Sequence, residues 1–117
     1  MRVAGFGFRR AASLDSLRAA LALAGGDVAA LATAEDKVMG LKALAEQLGV
    51  PVIGVSVQAM GLQAVAGSGR VRALYGTGSV AEASALAAAG LGARLVVGRV
   101  TSPDGMAVAA IAEGLRQ

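Results

Sequence analysis

The chain is written in short apolar blocks separated by glycine and small polar clusters, and the spacing within each block predicts its element. Residues 2–8, apolar and closing on Gly5-Phe6-Gly7-Phe8 ahead of Arg9-Arg10, form a strand. Leu14, Leu17 and Leu21 then recur at helical spacing with Arg18 facing away, Ser13 is placed to cap, Asp15 suits the positive end of the dipole, and Gly25-Gly26 stops the helix. Residues 27–33 are read as a short buried strand. After Ala34-Glu35-Asp36-Lys37 a second amphipathic helix puts Leu41, Leu44, Ala45 and Leu48 on one face, with Lys42, Glu46 and Gln47 on the other, until Gly49 and Pro51 end it. Residues 52–57 alternate as a strand and 58–64 as a short helix. Gly67-Ser68-Gly69 marks a loop and 71–75 a further strand. Past Gly76-Thr77-Gly78, the pair Ser79 and Glu82 fits a capping box opening an alanine-rich helix that stops at Gly90. Residues 95–100, the turn Thr101-Ser102-Pro103-Asp104-Gly105, and 106–112 complete a terminal hairpin.

Strands alternating with helices predict an α/β fold: one three-layer sandwich spanning 1–117, with a mostly parallel sheet and a C-terminal antiparallel hairpin. A chain of 117 residues is long enough to bury such a core without staples.

Composition narrows the chemistry. With no histidine, cysteine or tryptophan, thiolate and imidazole metal sites, disulfides and Cys- or His-dependent catalysis are excluded, and no metal site or cofactor is expected. The net charge of +3 favours anionic partners, but only 16% of residues are charged and no Lys/Arg run occurs, which predicts a localised site and no nucleic-acid surface. Arg9 and Arg10 interrupt the opening apolar segment, so no secretion signal or membrane span is expected and the location is read as cytoplasmic. Met39, Met60 and Met106 are read as core fillers, and Tyr75 as packing.

Ligands of open α/β sheets sit at the carboxyl ends of strands, and three unusual clusters are predicted there. The first is Gly5, Gly7, Arg9 and Arg10: Arg10 occupies the place of a third fingerprint glycine, so no dinucleotide motif results, but the glycines permit close approach and the guanidiniums can fork onto carboxylate or phosphate. A tight turn with two solvated arginines fits the spacing equally well. The second, Thr33 to Lys37, offers the Thr33 hydroxyl and the Lys37 ammonium to a crevice, or else is a polar loop leading into the next helix. The third, Gly76, Thr77, Gly78 and Ser79, can present backbone N–H groups and hydroxyls to an anion at a helix start, although it lacks a Walker ending and its capping box would consume two donors.

Taken in order, GFGFRR, LATAEDK before GLKALAEQLGVPV, GTGSVAEASAL and the closing SPDGMAVAAIA resemble the CobE family of cobalamin biosynthesis, whose domain also forms the C-terminal part of the CbiG family. In the family pattern a hydrophobic residue stands where this chain has Asp36. The resemblance implies an α/β domain that binds a precorrin or related tetrapyrrole acid, with other corrin-pathway enzymes as partners. Its family-like positions are Gly5, Gly7, Arg9, Arg10, Thr33, Lys37, Gly76, Gly78, Ser79, Glu82, Ser102 and 107–112. It leaves two roles open: a carrier, chaperone or accessory factor, and a hydrolase opening a precorrin lactone. The chain starts directly at this domain, which matches a free-standing CobE-like protein better than a CbiG-type hydrolase, and no base–nucleophile pair is visible in the sequence.

Overall fold

The computed structural model of the protein describes residues 1–66 and 77–114, with 62–66 and 77–79 described by their backbone alone. Strand β1 (Arg2–Phe8) leads into helix α1 (Leu14–Ala24), β2 (Ala30–Ala34), a 3-10 helix (Glu35–Leu41) continuing into α2 (Lys42–Leu48), and β3 (Val52–Val55). Helices α3 (Val57–Ala66) and α4 (Thr77–Ala89) follow, then β4 (Arg94–Thr101) and β5 (Ala107–Glu113). The predicted strand at 71–75 and the loop at 67–69 lie outside the described residues.

The five described strands form one sheet in the order β3-β2-β1-β5-β4. β1, β2 and β3 pair in parallel, while β5 runs against both β1 and β4, so four of the five point one way and β5 alone returns. This is the expected α/β arrangement with its terminal hairpin. Alternation along β1 divides the core into two layers. Ala4 and Phe6 join Leu31 and Ile111 under α1 and α2, through Leu17, Leu21, Leu41 and Leu44. Val3, with Ala30, Ala32 and Val55, faces Met60 of α3 and Ala83 of α4 on the other side. Helices therefore cover both faces, which makes the three layers.

Local chemistry sets most boundaries. Ser13 caps α1 by accepting from the Ser16 N–H, and Gly25 ends it at φ 117°, a left-handed geometry that costs a side-chain-bearing residue energy. Other boundaries differ from expectation. β2 begins at Ala30 and not at 27, because the chain is first carried alongside β1 by the Ala29 N–H bond to the Arg2 carbonyl. β3 stops at Val55, and Ser56 caps α3 by accepting from the Ala59 N–H at 3.1 Å. Glu35 to Lys37 are helical and not a loop, wound tightly as the 3-10 segment. Helix α4 already includes Thr77, which places Ser79 inside its first turn, and Glu82 accepts from the Arg99 N–H of β4 at 3.2 Å. Leu48 and Met39 are exposed and are not core residues.

The lower end of the sheet is fastened by charge and backbone together: Glu113 meets both Arg2 (3.6 Å) and Arg94 (3.5 Å), and the Gly114 N–H donates to the Met1 carbonyl at 2.9 Å.

Candidate functional site at the strand ends

Strands β1, β2, β3 and β4 finish at the same end of the sheet, and α1, the 3-10 helix and α3 begin there. Helix α4 begins there too. Its last residue, Ala89, lies against Gly114 at the opposite end, while Ala81 and Ala85 cross Gly5 in mid-sheet, so Thr77 is directed toward the strand ends. Arg9, Arg10 and Lys37 lie at this rim with the start of α4, whereas Gly5 sits in mid-sheet.

Gly5 faces α4. A Cβ at this position would fall 2.6 Å from the Ala85 amide nitrogen and 2.7 Å from the Ser84 hydroxyl, and closer still to the Ala81 carbonyl. The missing side chain therefore admits a helix backbone, which corrects the expectation that Gly5 faces the ligand crevice. Gly7 is buried opposite Val108 of β5.

Thr33 and Lys37 have a shared role that spacing did not reveal. The parallel ladder between β1 and β2 registers Val3, Ala4 and Gly5 against Ala30, Leu31 and Ala32 and goes no further, although β1 continues to Phe8. The Phe6 and Phe8 carbonyls, two residues apart on one flank, would lose their partners. Thr33 Oγ1 donates to the Phe6 carbonyl at 2.8 Å, and Lys37 Nζ donates to the Phe8 carbonyl at 2.9 Å. A buried carbonyl such as that of Phe6 needs such a replacement, whereas the Phe8 bond is made at the surface. Thr33 is 1% exposed, so its hydroxyl is an internal strut and not a ligand group, a second correction. Lys37 is different. Its ammonium lies over the Phe8 ring, 5.1 Å from the centroid, and remains at the surface with donors beyond the one given to Phe8.

Arg9 and Arg10 follow directly on Phe8 and are exposed. The Arg9 N–H donates to the Met106 carbonyl and the Arg9 carbonyl accepts from the Ala12 N–H, both at 2.9 Å, which turns the chain toward α1. Three cations, Arg9, Arg10 and Lys37, therefore share the end of one strand. Glu35 lies to the side, over Gly54 of β3. Of the third cluster, Gly76 lies outside the described residues, and Thr77, Gly78 and Ser79 are described as the opening of α4.

One constellation was missed as a unit. In the β4–β5 turn, Asp104 Oδ1 accepts from the Ser102 hydroxyl at 2.6 Å and from the Met106 N–H at 3.1 Å, while Oδ2 accepts from the Ser16 hydroxyl of α1 at 2.5 Å. The Ser102 hydroxyl bond, then that of Ser16, and then the Met106 amide hold the Asp104 carboxyl below its ordinary pKa of 3.8. Aspartate two residues after serine signals the turn; its reach to Ser16 is a tertiary fact. Among the described residues no group of three or more carboxylates converges as a metal site, and no helix is long and apolar enough to cross a membrane. A separate open groove of about 700 Å³ runs between α2 and β3, lined by Met39, Lys42, Glu46 and Val52 among others, away from the arginines.

Fold and rim together define an αβα domain with a cationic strand-end site. Residues 2–112 match the family described as "Cobalamin synthesis G C-terminus", and the chain belongs to that family. Among solved structures it resembles the cobalamin biosynthesis protein chiG from Agrobacterium tumefaciens str. C58 (34% identity, TM-score 0.74, covering 99% of this chain and 100% of that one). It also resembles CobE, a protein from the cobalamin (vitamin B12) biosynthetic pathway (32% identity, TM-score 0.78, covering 99% and 95%). A putative cobalamin biosynthesis protein G homolog from Sulfolobus solfataricus shares the fold at 16% identity and TM-score 0.71, over 99% of this chain and 37% of that longer one. No curated protein sequence matches.

Proposed function

We propose that the protein binds a precorrin or related tetrapyrrole acid at the strand-end rim, acting as a carrier, chaperone or accessory factor in cobalamin biosynthesis. The observation that carries this reading is the convergence of Arg9, Arg10 and Lys37 on the end of β1, with the ammonium already fixed on the Phe8 carbonyl. Such ligands are broad apolar macrocycles ringed by acetate and propionate carboxylates, and guanidinium forks suit those groups. Apolar surface is present at the same end, where Val57 opens α3 with 72% of its surface exposed. Membership of a cobalamin family makes a tetrapyrrole the natural polycarboxylate. The rim can hold and orient carboxylates; its Thr33 hydroxyl, the side chain most like a nucleophile within the second cluster, is sealed against Phe6.

The test is an absorbance titration with uroporphyrin III, a polycarboxylate tetrapyrrole. Binding should shift the main absorption band, and replacing Arg9 and Arg10 together by alanine should weaken affinity by about tenfold or more and flatten its salt dependence. Unchanged affinity in the double variant overturns the clamp. Turnover of a lactone-bearing precorrin by the protein alone would replace the carrier role with the hydrolase one.

A further inference from the structure

We infer that Asp104 is a positioning residue that sets the aim of the Arg9–Arg10 loop. The functional meaning of this inference rests on the ligand reading above; its structural content rests on hydrogen bonds alone.

The connection from β1 to α1 carries both arginines, and among the described residues neither guanidinium has an ion-pair partner. Their direction must come from the backbone that bears them. That backbone is held at two places. At its start, the Arg9 N–H is bonded to the Met106 carbonyl. At its end, Ser13 Oγ accepts from the Ser16 N–H at 3.1 Å and lies 3.1 Å from Ser16 Oγ. Asp104 reaches both anchors: Oδ1 takes the Met106 N–H, and Oδ2 takes the Ser16 hydroxyl. One carboxylate thus ties the residue that receives the loop to the helix turn at which the loop is capped, through a Ser16–Asp104 bond that spans 88 positions in sequence. The turn that presents Asp104 is itself closed, since Ser102 Oγ also accepts from the Ala107 N–H at 3.1 Å and the Gly105 N–H donates to the Ser102 carbonyl at 2.9 Å. Loop 9–13 is therefore a closed ring of contacts with Asp104 as its clasp. A cationic loop fixed before binding loses less conformational freedom on meeting its ligand, so the clasp favours affinity without touching what is bound.

The experiment uses the full chain with Asp104→Ala, Asp104→Asn and Ser16→Ala. In the free protein, Asp104→Ala should accelerate amide hydrogen exchange at Arg9 and Ala12 by about tenfold, and leave Leu31 and the β1–β5 ladder unchanged. Its affinity for uroporphyrin III should fall about five- to tenfold with the salt dependence preserved, because every cation is still present. Asp104→Asn, which keeps one carbonyl acceptor, should recover part of both effects, and Ser16→Ala, which frees only the α1 anchor, should also be intermediate. Unchanged exchange at Arg9 and Ala12, or a rise shared by the whole ladder, overturns the inference. If the wild-type protein does not bind uroporphyrin III, the ligand reading fails while the exchange comparison still decides the clasp. Should Asp104→Ala fail to fold, Ser16→Ala carries the same comparison.

Discussion

The two flanks of β1 are closed by different means. Toward β5 the strand is paired along its whole length, from Arg2 against Glu113 to Phe8 against Ala107. Toward β2 the ladder stops at Gly5 and Ala32, and two side chains, Thr33 and Lys37, take the carbonyls left over. A backbone ladder is indifferent to side-chain identity, whereas the open flank depends on a hydroxyl and an ammonium at fixed places. The chain parts at this second flank, and there a cation is brought to the surface beside Arg9 and Arg10. The difference teaches that a strand can be anchored on one side to free the other for chemistry.

Three measurements break or sharpen this contrast. The largest effect is expected at Gly5, the last β1 residue paired on both sides: Gly5→Ala pushes a methyl into the backbone of α4 and should destabilise the protein by about 3 kcal/mol in chemical denaturation. A loss under 1 kcal/mol, roughly the lower end for overpacking, would mean that α4 is free to shift. Next, Thr33→Val preserves shape and leaves the buried Phe6 carbonyl unpaired, for a loss of about 1.5 kcal/mol, with exchange rising on the β2 flank and not on the β5 flank. The smallest effect is on acidification. Because the folded-state pKa of Asp104 lies below 3.8, its contribution is complete above the ordinary carboxylate range and is lost as pH falls through the lowered value. The loop at Arg9 should therefore loosen in acid before the Lys37–Phe8 contact does, since that contact involves no carboxylate. Chemical shifts of Arg9 and Phe8 followed from pH 5 to roughly pH 2 check the order.

Elements bounded by their own local chemistry were legible in the sequence. β1, with its apolar run ended by two arginines, and α1, with Ser13 and Gly25 at its ends, fall where expected. Strand β2 starts three residues later than its apolar run predicts, since alanine carries little strand preference and Ala29 bonds across to Arg2 just ahead of it. The 3-10 segment at 35–41 packs closely on its neighbours. Gly40 receives the Phe8 ring, with a Cβ there only 2.5 Å from Phe8 Cε2, and Val38 lies over Gly54. The candidate site was legible as a set of cations at strand ends. Which polar groups stay available was not, since the partners of Thr33 and Lys37 lie 27 and 29 residues away. The same holds for Asp104, whose turn was visible and whose grip on α1 was not.

Gly5 has one more consequence. By letting the Ala81–Ala85 turn of α4 rest on bare strand backbone, it fixes both the height and the heading of that helix above the sheet. Helix starts carry a partial positive charge, and α4 points its own toward the rim where the arginines stand. A residue in the middle of the sheet, covered by helix backbone, thereby acts like the pivot of a compass needle: it bears no charge itself and decides where the field points.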